Sequence, residues 1–221
     1  MGFFDTEEGV REYLEMAKGH DGTELIEKLF DYLPADSTIL ELGMGPGNDL
    51  EILSKRYEVT GSDNSNLFID RYRRANPEAD LMLLDAVTLK TDRRFDCLFS
   101  NKVLHHLQRA DLKISIPRQA ELLEDGGLLA HAFWYGDKIE EHGGLHFQFY
   151  EESDIAEIFG GHFDIVLMER YEEMEPGDSI FAILKKIKHV SDVHMMRQAL
   201  GVAHMLSARD SWLWDELPPG A

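Results

Sequence analysis

Short apolar runs alternate with amphipathic stretches through most of the chain. The runs at 38–42, 58–62, 81–84, 95–100 and 127–133 have strand length. Their alternation with amphipathic helical stretches predicts a parallel sheet with helices on both faces. The stretches between them, 49–55, 66–75 and 110–123, carry helical periodicity. Ser65 is placed to cap the middle helix, and Asn76-Pro77 ends it, because a proline disfavours helical geometry in the residue before it. Pro117 lies inside the third helix and predicts a kink or break.

Helices are also predicted at 7–18 and 23–33, separated by Gly19-His20-Asp21-Gly22. Leu25, Ile26, Leu29 and Leu33 give the second an apolar stripe suited to the core. After the fifth run the rhythm changes to a short helix at 153–159 and then strands at 163–171 and 179–185 around Glu175-Pro176-Gly177-Asp178. So short a connection forces those strands to be antiparallel. The expected fold is therefore α/β, a doubly wound, mostly parallel sheet with helices on both faces, closed by a hairpin. A nicotinamide dehydrogenase has six parallel strands instead.

From His189 the pattern differs again. Val193, Met196, Leu200 and Ala203 line one helical face, and Trp212 and Trp214 follow. Two segments are expected, a main domain over 1–188 and an apolar helical tail over 189–221 that packs on the domain or on a second subunit of a homodimer.

Charge narrows the partners. Acidic residues number 42 against 22 basic ones, a formal charge of −20, which repels phosphate-rich nucleic acid at long range. Arg71, Arg73, Arg74, Arg93 and Arg94 read as solvated surface rather than a binding patch. No apolar run reaches the roughly 20 residues of a membrane-spanning helix. The N-terminus lacks a secretory signal, and Met1-Gly2 with Thr6 fits a myristoylation site only loosely. The lone Cys97 excludes an internal disulfide and, with the rest, leads us to expect a cytoplasmic protein.

The strongest chemical signal is Glu41-Leu42-Gly43-Met44-Gly45-Pro46-Gly47-Asn48-Asp49, between a predicted strand and a predicted helix. Its glycines allow a sharp turn and close approach of a ligand to the backbone. The dinucleotide fingerprint would need glycine where Asn48 stands. Asp63, ending the second strand, is placed to bind ribose hydroxyls.

Glu-Leu-Gly-x-Gly-x-Gly, the acidic end of strand two and the closing hairpin together resemble the class I, Rossmann-like S-adenosylmethionine-dependent methyltransferases. The resemblance spans roughly residues 23 to 187. It implies a seven-stranded sheet of order 3-2-1-4-5-7-6 with strand seven antiparallel, and S-adenosylmethionine as cofactor. It further implies that Gly43, Gly45 and Gly47 line the methionine moiety, with Glu41 ordering the loop or meeting the amino group. Asp63 would bind the ribose, Asn64 and Ser65 would lie beside the adenosine, and Asp85-Ala86 would meet the adenine. Asn101 would sit by the reacting methyl, and Tyr13 resembles a tyrosine that closes this pocket. Asn101-Lys102-Val103-Leu104-His105-His106 lacks the Asn/Asp-Pro-Pro-aromatic motif of adenine amino-methylating enzymes and resembles the small-molecule branch. The arsenic-methylating relatives use several cysteines, which this chain lacks.

Methyl transfer from a sulfonium needs alignment and dryness, and a base only when the acceptor starts protonated. His105, His106 and His146 are the candidate bases, with His142 beside them. Trp134, Tyr135, His142 and His146 form a cluster expected to overhang the strand ends and meet the acceptor. No metal site is expected, since adjacent histidines rarely face one ion. The function expected is transfer of a methyl group to an O or N atom of a small molecule. Two competing readings are a nicotinamide-dependent oxidoreductase and a catalytically silent S-adenosylmethionine-binding module.

Overall fold

The computed structural model describes residues 3–16, 18–19 and 21–187. The 189–221 segment, read above as an apolar tail, lies outside the described residues. Seven strands form one sheet: β1 (Thr38–Leu42), β2 (Glu58–Asp63), β3 (Leu81–Leu83), β4 (Phe95–Asn101), β5 (Leu123–Trp134), β8 (Phe163–Tyr171) and β9 (Ser179–Lys186). A separate antiparallel hairpin, β6 (Ile139–His142) and β7 (Leu145–Gln148), is inserted after β5. The order is β3-β2-β1-β4-β5-β9-β8, which is the predicted 3-2-1-4-5-7-6 once the inserted hairpin is numbered. Pairings from β3 to β5 are parallel, and β9 runs antiparallel to both neighbours.

The helices are α1 (Glu7–Met16), α2 (Thr23–Leu29), α3 (Asn48–Leu53), α4 (Asn66–Ala75), α5 (Arg109–Leu122) and α6 (Glu152–Phe159). Successive strand residues point to opposite faces, so the strands feed two cores. Leu40, Leu98 and Leu129 pack on Leu112 and Ile116 of α5 and Phe159 of α6. Ile39, Cys97 and Phe99 pack on Leu25, Ile26 and Leu29 of α2. Burial pushes the Cys97 thiol up, leaving it an inert packing group.

Pro117 does not break its helix, and Ser65 does not cap α4. The helix containing Pro117 is unbroken from Arg109 to Leu122. Proline removes the amide that would bond to the carbonyl of Lys113, but both residues are on the exposed side, where water can take that role. Ser65 occupies the N-cap position of α4 without capping it; its hydroxyl instead donates to the carbonyl of Phe4 at 2.7 Å. Of the arginines read as solvated surface, Arg73 pairs with Asp70, Arg93 with Asp80, and Arg94 with Glu124.

Candidate active site

The turn from β1 into α3 sits at the carboxyl end of the sheet. Gly43 and Gly47 have φ of +67° and +90°, and a Cβ on either would fall 2.5 Å from Val103 Cγ1 or 2.2 Å from Tyr72 Cε2. Both positions therefore demand glycine, for packing as much as for backbone conformation. Gly47 borders neither of the two cavities over the turn, although Pro46 and Asn48 on either side line one of them, and it packs against Tyr72 of α4. Gly45 donates its amide to Asp63 Oδ2 at 2.9 Å, and Asp63 Oδ1 accepts the Ser65 amide at 2.8 Å. Asp63 thus clamps the turn to the end of β2.

Two cavities open over these strand ends, of about 210 and 310 Å³. They share Tyr13, Gly43, Lys102, His106 and Leu145 as borders and so form one cleft. The larger is lined by Asp63, Asn64, Asp85 and Ala86, with Phe4 and Phe68. The smaller is lined by Glu41, Asp49, Asn101, His105, Trp134 and Phe147, among others. Ser65 borders neither, being turned toward Phe4.

Acceptors outnumber donors in the smaller cavity. Asp49 Oδ1 receives the Gly22 amide at 2.6 Å, and Asp49 Oδ2 receives Asn101 Nδ2 at 3.1 Å. Asn101 Oδ1 and Glu41 Oε2 are buried and have no donor. Desolvation raises the pKa of Glu41 well above the carboxylate range, with Asp49 and Asp63 adding to it, and raises Asp49 and Asp63 as well. Burial and these carboxylates push Tyr13 up to about 12. These two unsatisfied acceptors fit a ligand that brings a cationic donor, such as the ammonium of S-adenosylmethionine, whose sulfonium adds positive charge without donating.

The histidines divide. His105 is 1% exposed, borders the smaller cavity, lies flat against Phe147 at 5.4 Å, and has no partner at either ring nitrogen. His106 borders both cavities, and its Nδ1 lies 2.8 Å from the carbonyl of His146. A carbonyl only accepts, so Nδ1 carries the proton and Nε2 keeps its lone pair. Burial lowers both pKa values, keeping the rings neutral. His146 borders neither cavity, and its ring meets Glu141. His142 is an exposed residue of the β6–β7 hairpin beside Glu140. Tyr135 also turns away, with the Arg170 guanidinium 3.4 Å from its ring centroid. His142, His146 and Tyr135 were expected to face the acceptor. The strand alternation that turns Trp134 inward turns Tyr135 away from the cleft, and the hairpin reaches the cleft through Gly144, Leu145 and Phe147.

Sequence reasoning missed Lys102, Asp49 and Glu173, which all border the smaller cavity. Lys102 has φ of +55° and sends its ammonium to Phe133 O at 3.2 Å and to Ser179 Oγ, with the Trp134 ring centroid 3.7 Å away. Burial lowers its pKa to about 8. The signal was a lysine directly after a strand end in an otherwise uncharged segment. Among the described residues no group of three His, Cys, Asp or Glu could hold a metal ion, and no helix is long and apolar enough to cross a membrane.

Residues 39–127 match a family model described as a methyltransferase domain. Trans-aconitate 2-methyltransferase of Variovorax paradoxus (strain S110) is 34% identical over 102 residues, covering 44% of this chain and 39% of the relative. The same-named protein of Azoarcus sp. (strain BH72) is 30% identical over 125 residues, covering 54% and 48%. The chain thus spans less than half the length of these curated relatives. Among solved structures, the Burkholderia thailandensis 1,6-didemethyltoxoflavin-N1-methyltransferase, with 1,6-didemethyltoxoflavin and S-adenosylhomocysteine bound, superposes with a TM-score of 0.71 at 18% identity, over 82% of this chain and 85% of that one. The N-methyltransferase NodS of Bradyrhizobium japonicum WM9 gives 0.62 at 17% identity, over 81% and 99%. Glycine turn, strand order and domain match agree: residues 39–127 are similar to a methyltransferase domain, and the sheet has the Rossmann-like fold of these solved methyltransferase structures.

Proposed function

We propose that the protein transfers the methyl group of S-adenosylmethionine to an O or N atom of a small molecule. The observation that carries this reading is the pair of donorless buried acceptors, Glu41 Oε2 and Asn101 Oδ1, beside the glycine turn. When bound, S-adenosylmethionine supplies an activated methyl group on a sulfonium. Gly43, Glu41, Asp49 and Asn101 hold its methionine end, while Gly45, Asp63, Asn64, Asp85 and Ala86 hold the adenosine, with Tyr13 bridging the two cavities. Lys102 fixes the Trp134 wall by holding β5 and β9 together. Phe147 and Leu145 close the cleft from above and exclude water.

His106 is the base when the acceptor starts protonated, since its Nε2 lone pair is free of the His146 contact. His105, with both nitrogens unpartnered, is the second candidate. The relatives' name offers trans-aconitate as one acceptor to try. The assigned setting is the cytoplasm, with 1–188 as the catalytic domain. The tail beyond 188 is assigned to a homodimer contact, and unchanged solution size after truncation before His189 would remove that part.

Titration with S-adenosylhomocysteine and with NADH tests the reading. We expect S-adenosylhomocysteine to bind and Glu41→Gln to weaken it. Binding of NADH alone would establish the oxidoreductase alternative. S-adenosylhomocysteine binding without any turnover across an acceptor screen would leave a silent binding module.

A further inference from the structure

The acceptor end of the cleft has a chemistry of its own, and its interpretation rests on the methyltransferase reading above. Asp21 and Glu173 border the smaller cavity and also the adjoining depression, where Glu24 and Glu172 join them. Deeper in, Glu41 and Asp49 add two more carboxyl groups. Among the described residues, Lys102 is the lysine or arginine on this wall. Its ammonium is already held by Phe133 O and Ser179 Oγ, lies 3.9 Å from Glu173, and faces the Trp134 ring. A carboxylate guest would have to take Lys102 from those partners while desolvating against four acidic side chains.

An independent observation marks this end as a place for a ligand. The buried His105 lines it with neither ring nitrogen partnered, a state that a folded chain rarely leaves without a guest. Trp134 and Phe147 supply aromatic surface, and Met16 and Met174 supply thioethers at the mouth.

We infer that the acceptor is a primary or secondary amine, a small and partly apolar molecule attracted as an ammonium by Asp21 and Glu173 and seated against Trp134 and Phe147. In the step this requires, the ammonium first gives a proton to His106 Nε2. The freed nitrogen lone pair forms the N–C bond to the methyl group as the C–S bond breaks, and sulfur keeps that electron pair. The products are a secondary or tertiary ammonium, which keeps the positive charge that the sulfonium gave up, S-adenosylhomocysteine and one proton, which passes from His106 to solvent.

Calorimetric titration of the full chain tests this. Binding of S-adenosylhomocysteine is measured first, and its absence would remove both this inference and the reading beneath it. On the saturated protein, tryptamine and phenethylamine are then compared with indole-3-acetate and trans-aconitate. The expected result is that the amines bind about tenfold or more tightly than the carboxylates. Glu173→Gln should weaken the amines about tenfold and change S-adenosylhomocysteine affinity less than twofold. Asp21→Asn, on an exposed loop position, gives the same readout should the first variant misfold. Equal or tighter binding of either carboxylate, failure of both amines to bind, or insensitivity to both variants would overturn the amine assignment while leaving the methyltransferase reading in place.

Discussion

His131 and His105 are buried to the same degree and held neutral by the same cause, yet they stand in opposite polar circumstances. His131, on β5 beneath the sheet, sits in a closed chain of hydrogen bonds. Ser100 Oγ lies 2.8 Å from its Nδ1 and Gln119 Oε1 lies 2.9 Å from its Nε2. Gln119 then donates to Ser115 Oγ, which donates to the carbonyl of Ala86. Since the Gln119 carbonyl only accepts, Nε2 carries the proton and Nδ1 receives the Ser100 hydroxyl. His105, over the cleft, has an aromatic neighbour on its face and no partner at either nitrogen. The same residue type thus completes the core in one place and leaves hydrogen-bonding capacity open in the other. Glu41 and Asp63 repeat the contrast among carboxylates: Asp63 is satisfied by two backbone amides, and Glu41 keeps a bare oxygen facing the cavity.

The largest effect should come from His131→Leu. It strands the Ser100 hydroxyl and the Gln119 carbonyl in the core, at about 2–4 kcal/mol of stability. Chemical denaturation measures it, and a loss under 1 kcal/mol would mean the network carries no weight.

The pH dependence comes next. Burial holds the folded pKa of His131 at about 3, against an unfolded value near 6.5. As pH falls through 6.5 the unfolded chain takes up a proton that the folded chain refuses. Stability therefore falls by roughly 1.4 kcal/mol per pH unit for this group, until the pH approaches the folded value. Glu41, whose folded pKa is raised, contributes with opposite sign: its share is present below the unfolded carboxylate value and lost as pH rises through the folded one. Subtracting the unfolding curves of His131→Leu from those of the wild type removes the Glu41 contribution. A difference that stays flat between pH 6.5 and 4.5 would contradict the buried neutral imidazole.

A smaller effect is expected of His105→Leu. Removing two unpartnered nitrogens from an apolar setting should leave stability within about 1 kcal/mol of wild type or raise it. Destabilisation equal to that of His131→Leu would erase the distinction between the two histidines. Smallest of all, His142→Ala should leave S-adenosylhomocysteine affinity and unfolding midpoint unchanged, because the side chain is solvated on the hairpin. A loss of affinity would place the hairpin differently over the cleft.

Much of the donor end of the cleft was legible in the chain because it depends on local geometry. A strand that ends in Gly43-Met44-Gly45-Pro46-Gly47 can only turn sharply, and Asp63 follows at the end of the neighbouring parallel strand. Gly47 shows the limit of that logic: its glycine is required by Tyr72, a contact between distant positions that no spacing rule contains. The acceptor end was less legible for a similar reason. Tyr135, His142 and His146 lie near Trp134 and Phe147 in sequence, yet strand alternation and the twist of an inserted hairpin turn them away from the cleft.

By itself, the sequence determined the sheet. The apolar runs mark its strands and the short Glu175–Asp178 turn makes the last two antiparallel, because connection length governs strand direction, while the strand order came from the resemblance to class I methyltransferases. Only the tertiary structure decided which polar groups are satisfied. Hydrogen-bond partners such as Gly22 for Asp49, Ser179 for Lys102 and Gln119 for His131 come from separate elements, and their absence around Glu41 and His105 emerges only once those elements have packed.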